Sequence, residues 1–536
     1  MGWISWKAYQ AIVTEQNIRD AADWCEIYLK PFGLSHIIID DGWFVGSTGS
    51  GLYQIPQNVN WTQGNRRFPN GMAALADYIH QKGFKAGIWL SPFGISDQNI
   101  MNEHPDWWVR QYPNGPWATS NKGWHGPYFA DGSVDSAITR WILNGICAMD
   151  QDGYDFFKLD GQMHAAHEAY VQGSSYFASK GITWQQAYRH AWKAIMDSTN
   201  DEFVLSCWSR IPENIGNPHA IRIGGDKDAG WNYGPKPAAD DLAKYLYEHN
   251  ICWIDDPDHI VLSGCSLAES RSWVTLIGLT GTMFTFSDIP QNLPAEKVEM
   301  YRKILPTIST HPLELYQLST TPALWCLEVN KPFDNWLVVA NTHFASNPPT
   351  YIAFTELGLD SSKEYIVYDF WKEQLKGVFS RGFYCSTPQY HDVDVYSIRQ
   401  KRDYPWVASV NRHISQGGIS FKNLSYNDST STLSGTSRLV PNDHYIIHIY
   451  YPDGFQNDRV SVSCGSYNIS LSQPNIIDLD ILSPCDTLIN WSISFGGGPT
   501  GILAPVRKKP RYIYENDNDQ NIKMELQRQA RKGVEE

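Results

Sequence analysis

The stretch Phe156-Phe157-Lys158-Leu159-Asp160-Gly161 decides how the first part of this chain is read. It is a short apolar strand that delivers a lysine and an aspartate, two residues apart, into a glycine turn. Side chains alternate faces along a strand, so Lys158 and Asp160 point one way and Leu159 the other. An ammonium a few ångströms away favours the ionised form of a carboxyl. That is the form a carboxylate nucleophile requires. An ion pair that merely closes a strand end is the competing reading of the same six residues.

Outward from this stretch, short β-like runs alternate with amphipathic ones. The predicted strands are Gly2–Trp6, His36–Asp40, Lys85–Leu90, Tyr154–Asp160, Phe203–Trp208, Ile221–Gly225, Ile251–Asp255 and Met283–Phe286. Helical spacing falls between them, over Glu15–Leu29, Met72–Gln81, Asp135–Met149, Trp184–Ser198, Ala238–Glu248, Leu267–Leu279 and Ala295–Ile304. Alternating strands and helices imply parallel pairing through right-handed crossovers. Eight such units in residues 1–310 predict an α/β fold, a (β/α)8 TIM barrel. A doubly wound open sheet is the alternative, but the glycine-rich dinucleotide fingerprint it often carries is missing after the first strand.

Beyond residue 311 the pattern changes to β-like runs with turn residues between, such as Trp336–Ala340, Tyr365–Tyr368, His444–Tyr450 and Val460–Ser463. These predict antiparallel β-sandwich material. The break near Arg402–Pro405 divides it into a β-sandwich domain at 311–403 and a second small β domain at 404–504. Residues 505–536 form a charged tail that opens with Arg507-Lys508-Lys509-Pro510-Arg511.

Bulk properties narrow the function classes. The 536 residues are 42% hydrophobic and 19% charged, enough for sizeable cores. A net charge of −14 argues against nucleic acid or an anionic membrane as partner. No run is long and apolar enough for a membrane span, and no signal peptide is read at the start, so a soluble chain is expected. The compartment stays open between cytoplasm and, for a processed fragment, secretion. None of the nine cysteines forms a Cys-x-x-Cys motif, although Cys464 and Cys485 could pair. The 22 tryptophans suit large cores first and carbohydrate clefts second.

In a barrel of this kind the chemistry sits at the C-terminal ends of the strands. There the sequence sets Trp6, Asp40-Asp41-Gly42-Trp43, Trp89, Lys158 with Asp160, Cys207-Trp208, Arg222 to Asp226, Asp255-Asp256-Pro257-Asp258 and Ser287-Asp288. Helix capping explains any one acid, but not acids at five strand ends together. An acidic, Trp-lined bowl suits a neutral polyhydroxylated ligand. Arg222 and Asp226 share a face if the segment stays extended, and Gly224 and Gly225 leave room at that wall. Asp228 is the rival carboxylate. Asp160 and Asp226, facing each other across a barrel mouth, have the makings of a glycoside hydrolase pair.

At these residues the sequence resembles the α-galactosidase clan of glycoside hydrolases, the melibiase-like families 27 and 36. Gly2-Trp3-Ile4-Ser5-Trp6 looks like the clan's opening Gly-Trp-Asn-Ser-Trp strand, with Ile4 in place of Asn. Asp40-Asp41-Gly42-Trp43 looks like its Asp-Asp-x-Trp, and Phe68-Pro69-Asn70-Gly71 with Gly87-Ile88-Trp89 is similar to its third-strand pattern. His104-Pro105-Asp106-Trp107 resembles family 36. Phe157–Gly161 looks like the nucleophile strand, Arg222–Asp226 like the Arg-x-x-x-Asp of the acid/base, and Asp256-Pro257-Asp258 like the seventh-strand motif.

The resemblance implies a retaining, exo-acting α-glycosidase with Asp160 as nucleophile and Asp226 as acid/base. It places Asp40 and Lys158 on the O4 and O6 side of the sugar, and Trp6, Asp41, Trp43, Trp89, Cys207, Trp208, Arg222 and Asp258 along the subsite. Neither cofactor nor metal is implied; the expected partner is an oligosaccharide or glycoside. One departure bears on specificity. Cys207-Trp208-Ser209-Arg210 stands where relatives have Cys-Glu-Trp or Cys-Gly near C2, so galactose and N-acetylgalactosamine are not told apart. An α-N-acetylgalactosaminidase, a raffinose-synthase-like α-galactosyl transferase and, remotely, a non-catalytic sugar-binding barrel remain as alternatives. His164, His167 and Glu168 lack the His-Glu-x-x-His spacing of a zinc hydrolase.

Overall fold

The computed structural model describes residues 1–47, 60–120, 126–161, 166–199, 202–308, 321–329, 336–344, 348–385, 388–484 and 488–497. Cys485, His164 and the tail 505–536 lie outside these. By internal contacts the chain divides into two compact units. One holds Met1–Cys265 with Thr282–Ala295; the other holds Ser266–Gly281 with the remainder.

The first unit carries eight parallel strands. They are β1 (Gly2–Ile4), β2 (His36–Ile39), β3 (Lys85–Leu90), β4 (Phe156–Leu159), β5 (Phe203–Ser206), β6 (Ala220–Arg222), β7 (Ile254–Asp256) and β8 (Thr285–Phe286). Their spatial order is β7-β6-β5-β4-β3-β2-β1-β8. The remaining gap closes through backbone bonds. Met283 N–H donates to the Asp255 carbonyl, and Ile260 N–H to that of Thr285, both at 2.9 Å. The fold is therefore the expected (β/α)8 barrel.

Strand alternation sorts the barrel into layers. Ile4, Ile38, Phe156, Leu205, Ala220 and Met283 pack together as an apolar plug, with Phe203 and Ile254 against it. One step of two residues farther along the same faces come Asp40, Lys158, Arg222 and Asp256. A sealed floor thus lies below a polar layer at the strand ends, and each polar residue is aimed by the apolar residue two positions before it.

Helix starts follow local chemistry. Thr14, Thr183 and Ser266 each accept the third helical N–H, while Asn17, Gln186 and Glu269 reach back to the cap N–H. These capping boxes open Glu15–Tyr28, Trp184–Ser198 and Leu267–Thr280. Most expected elements are found within a few residues. The seventh strand is the instructive difference, because Ile251–Asp255 was expected and Ile254–Asp256 is observed. Residues 249–253 instead form a turn, with Asn250 at φ +60° and its N–H on the Trp253 carbonyl at 2.7 Å. The strand therefore begins later, Asp256 faces the lumen, and Asp255 points out of it.

The second unit is antiparallel, as predicted. A five-stranded sheet runs 324–329, 336–342, 393–400, 364–369, 374–380 in spatial order. Two four-stranded sheets follow. One pairs 406–410, 444–450, 476–482 and 466–473, the other 421–427, 432–438, 488–497 and 455–462. Among the described residues no helix is long and apolar enough to cross a membrane.

Candidate active site

The polar layer centres on a buried ion pair. Lys158 Nζ, at the end of β4, donates to Asp40 Oδ2 at 2.8 Å, and the two side chains are only 4% and 3% exposed. Burial opposes the lysine's charge, but Asp40 foremost, then Cys207 and Asp160, hold its pKa above the ordinary value. Asp40 is itself fixed by its N–H on Ser5 Oγ at 2.9 Å. Ser5 is fully buried at the end of β1, and sequence reasoning passed over it because a lone serine carries no spacing signal.

Asp160 sits just past β4. The expectation made Lys158 its ion-pair partner, yet the lysine's bond goes across the barrel to Asp40. Asp160 is held by N–H donors instead. Trp89 Nε1 donates to Oδ2 at 3.0 Å, and its neighbour Gly161 N–H to Oδ1 at 2.6 Å. Burial is the largest influence and lifts this carboxyl above its usual range, against the pull of Lys158, the indole and the Gly161 amide. The Asp226 charge also raises it. Asp41 lies in the same bowl; burial first, then Asp40 and Asp160, push it up to about 7.

On the opposite wall Arg222, at the end of β6, serves three acids. Its Nη2 meets Asp258 Oδ1 at 2.7 Å, its Nη1 meets Asp226 Oδ1 at 3.1 Å, and its Nε lies 3.5 Å from Asp256 Oδ2. Burial would lift Asp258, but Arg222 and then His259 hold it far below the normal carboxylate range. Burial keeps Asp256 above that range despite Arg222. Asp226 differs from the other acids here in exposure: its side chain is 40% exposed at the rim. The rival Asp228 is turned to Lys7, whose Nζ donates at 2.8 Å, and Lys7 lowers its pKa against the effect of burial.

The remaining predicted residues divide by depth. Trp89 and Cys207 are buried beside Asp160, and burial drives the Cys207 thiol well above its usual pKa. Trp6 begins a single helical turn after β1. Trp208 adopts φ +56°, and its ring edge lies 3.6 Å from where a side chain on Gly225 would begin. Trp43 is fully buried, with its indole N–H on the Trp89 carbonyl at 2.8 Å, a layer behind the bowl. Asp256, facing Arg222, was not singled out as a site residue, although its two-residue spacing from Ile254 and Asp258 marks that face. His167 and Glu168 have structural partners: the Trp184 ring edge-on at 5.0 Å, and Ser120 Oγ, which donates at 2.7 Å.

Residues 5–144 match the Melibiase family model. An α-galactosidase of Lactobacillus acidophilus is 33% identical over 104 residues, 19% of this chain and 13% of that protein. One from Oryza sativa is 37% identical over 106 residues, 20% of this chain and 23% of that protein. The matched stretch thus spans less than a quarter of either relative. In fold, the chain is similar to a family 27 β-L-arabinopyranosidase of Geobacillus stearothermophilus. The TM-score is 0.55 at 17% identity, over 74% of this chain and 95% of that one. An α-galactosidase of Saccharomyces cerevisiae gives 0.50 at 16% identity, over 75% and 97%.

Proposed function

We propose, from the Melibiase match over residues 5–144 and the barrel fold, that the chain is a melibiase-like, retaining, exo-acting α-glycosidase of the α-galactosidase type. Asp160 attacks the anomeric carbon as the glycosidic C–O bond breaks, and Asp226 gives its proton to the leaving oxygen. Asp226 then takes a proton from water as that water attacks the same carbon, releasing the sugar and restoring the Asp160 carboxylate.

One observation carries this reading: two carboxylates of opposite setting share one bowl. Asp160 is buried at the base and fixed by two N–H donors, as an in-line nucleophile must be. Asp226 stands at the rim, where a leaving group and then water can reach it. The Asp40–Lys158 pair offers donors and acceptors in fixed positions for adjacent sugar hydroxyls. The apolar floor closes the bottom of the bowl, which favours exo action.

The test is turnover of aryl α-galactoside, α-N-acetylgalactosaminide, α-glucoside and β-L-arabinopyranoside by the wild type, with Asp160→Ala and Asp226→Ala beside it. Galactoside turnover lost in Asp160→Ala, with the fold intact, is the expected result. Full activity in either variant removes the assignment. Product analysis with a sugar acceptor separates hydrolysis from galactosyl transfer.

A further inference from the structure

Lys227, the residue after Asp226, is unlike its neighbours on this rim. Asp226 and Asp228 are exposed, yet Lys227 between them is 2% exposed. Burying an ammonium is costly unless it is paired and hydrogen-bonded. Here it is. Lys227 Nζ donates to Asp241 Oδ2 at 2.7 Å, on the helix Pro235–Tyr245, and to the Gly225 carbonyl at 2.7 Å. Its backbone N–H donates to Asp258 Oδ2 at 2.6 Å, and Asp258 is also bound by Arg222. The two peptide units flanking Asp226 are therefore tied from below at three points, to a helix, to the loop itself and to the β7 end.

The loop is also shaped for this ion pair. A side chain on Gly224 would begin 1.8 Å from Asp241 Oδ2 and 3.0 Å from Lys227 Nζ, so only glycine lets the pair lie against the backbone there. Among the described residues the Asp226 side chain has one ion pair, with Arg222 Nη1 at 3.1 Å. What aims it is then mainly the path of its own backbone. We infer that the buried Lys227–Asp241 pair is a positioning device for the acid/base, holding residues 224–228 so that the Asp226 carboxyl meets the glycosidic oxygen. This rests on the glycosidase reading above.

The reaction supplies a readout that a merely structural role does not move. A reluctant alkoxide leaving group needs the proton from Asp226, whereas 2,4-dinitrophenolate departs without it. A misplacement of about 1 Å at a reacting group costs about 10²-fold. Lys227→Met should therefore lower kcat/KM for an alkyl α-galactoside by about 10²-fold and leave that for the dinitrophenyl α-galactoside within about 3-fold. Azide, which attacks without base assistance, should restore kcat on the activated substrate and yield the galactosyl azide. Asp241→Asn keeps the shape and drops the charge, and it should show the same selective loss to a smaller degree; it decides the matter if Lys227→Met does not fold. Equal losses on both substrates, or none on either, in a folded variant overturn the inference while the glycosidase reading stands. A wild type inactive on both substrates removes that reading and the inference with it.

Discussion

Replacing Lys158 by Met tests the ion pair on which the bowl is built. Lys158 Nζ and Asp40 Oδ2 are 2.8 Å apart in a site closed to solvent. Removing one partner of such a pair strands the other charge, at a cost of about 3–5 kcal/mol. For a domain of this size about 2–4 °C of Tm goes with each kcal/mol, so the variant should melt about 6–20 °C lower, toward the smaller figure for a unit this large. Asp40 has one escape, which is to take a proton. The loss should therefore be largest above pH 7 and shrink as the pH falls. In the wild type no such slope arises from the lysine, because its raised pKa keeps it charged throughout that range. The second arm is Lys158→Met with Asp40→Asn. With no stranded charge, the double variant should melt above the single one and return to the pH dependence of the wild type. Circular dichroism melts at pH 5, 7 and 9 read all of this. A single variant that melts within 1 °C of wild type, or a double variant no more stable than the single, refutes the reasoning.

Other expectations follow from the same geometry. Trp89→Phe removes the indole N–H from Asp160, a bond to a charged group worth about 1.5–3 kcal/mol. That corresponds to a fall of roughly 10- to 150-fold in kcat/KM, with the acidic limb of the pH profile moved upward because the carboxyl loses a donor that held its pKa down; an unmoved limb refutes it. Asp226→Ala should cut turnover of an alkyl galactoside by about 10²–10⁴-fold, and azide should rescue the activated substrate; no rescue moves the acid/base role elsewhere. Asp255 is buried, and burial foremost, then Glu248, pushes it up to about 8 against the pull of the Trp253 side chain. The folded state then keeps a proton that the unfolded state releases, so this group stabilises below about pH 4 and that contribution is lost as pH rises through about 8, with a ceiling of about 5 kcal/mol. Asp255→Asn should flatten the fall in Tm between pH 5 and 9; parallel slopes for variant and wild type count against it.

The barrel was legible because its signals are local. Period-two runs, capping boxes and glycine turns each act within a few residues, and their alternation leaves few topologies open. The site residues were legible for a related reason. A residue two positions beyond a lumen-facing apolar side chain must face the lumen, so Phe156 announces Lys158 and Ala220 announces Arg222. Asp255 shows where this fails. A three-residue strand offers too little alternation to set its own phase, and the Asn250 turn, fixed by the Trp253 carbonyl, decided which of two adjacent acids faced in.

Partnership was the part that only the tertiary structure decided. From sequence, Lys158 belonged to Asp160, its neighbour on the same strand face; in the fold it crosses to Asp40, 118 residues away, and Trp89 and Gly161 take its place. Lys227 carries no spacing signal in the sequence, yet it is buried against Asp241. Alternation fixes the direction of a side chain, but charge pairing depends on distances across the barrel. Those exist only once eight strands have closed and water has been driven from between them.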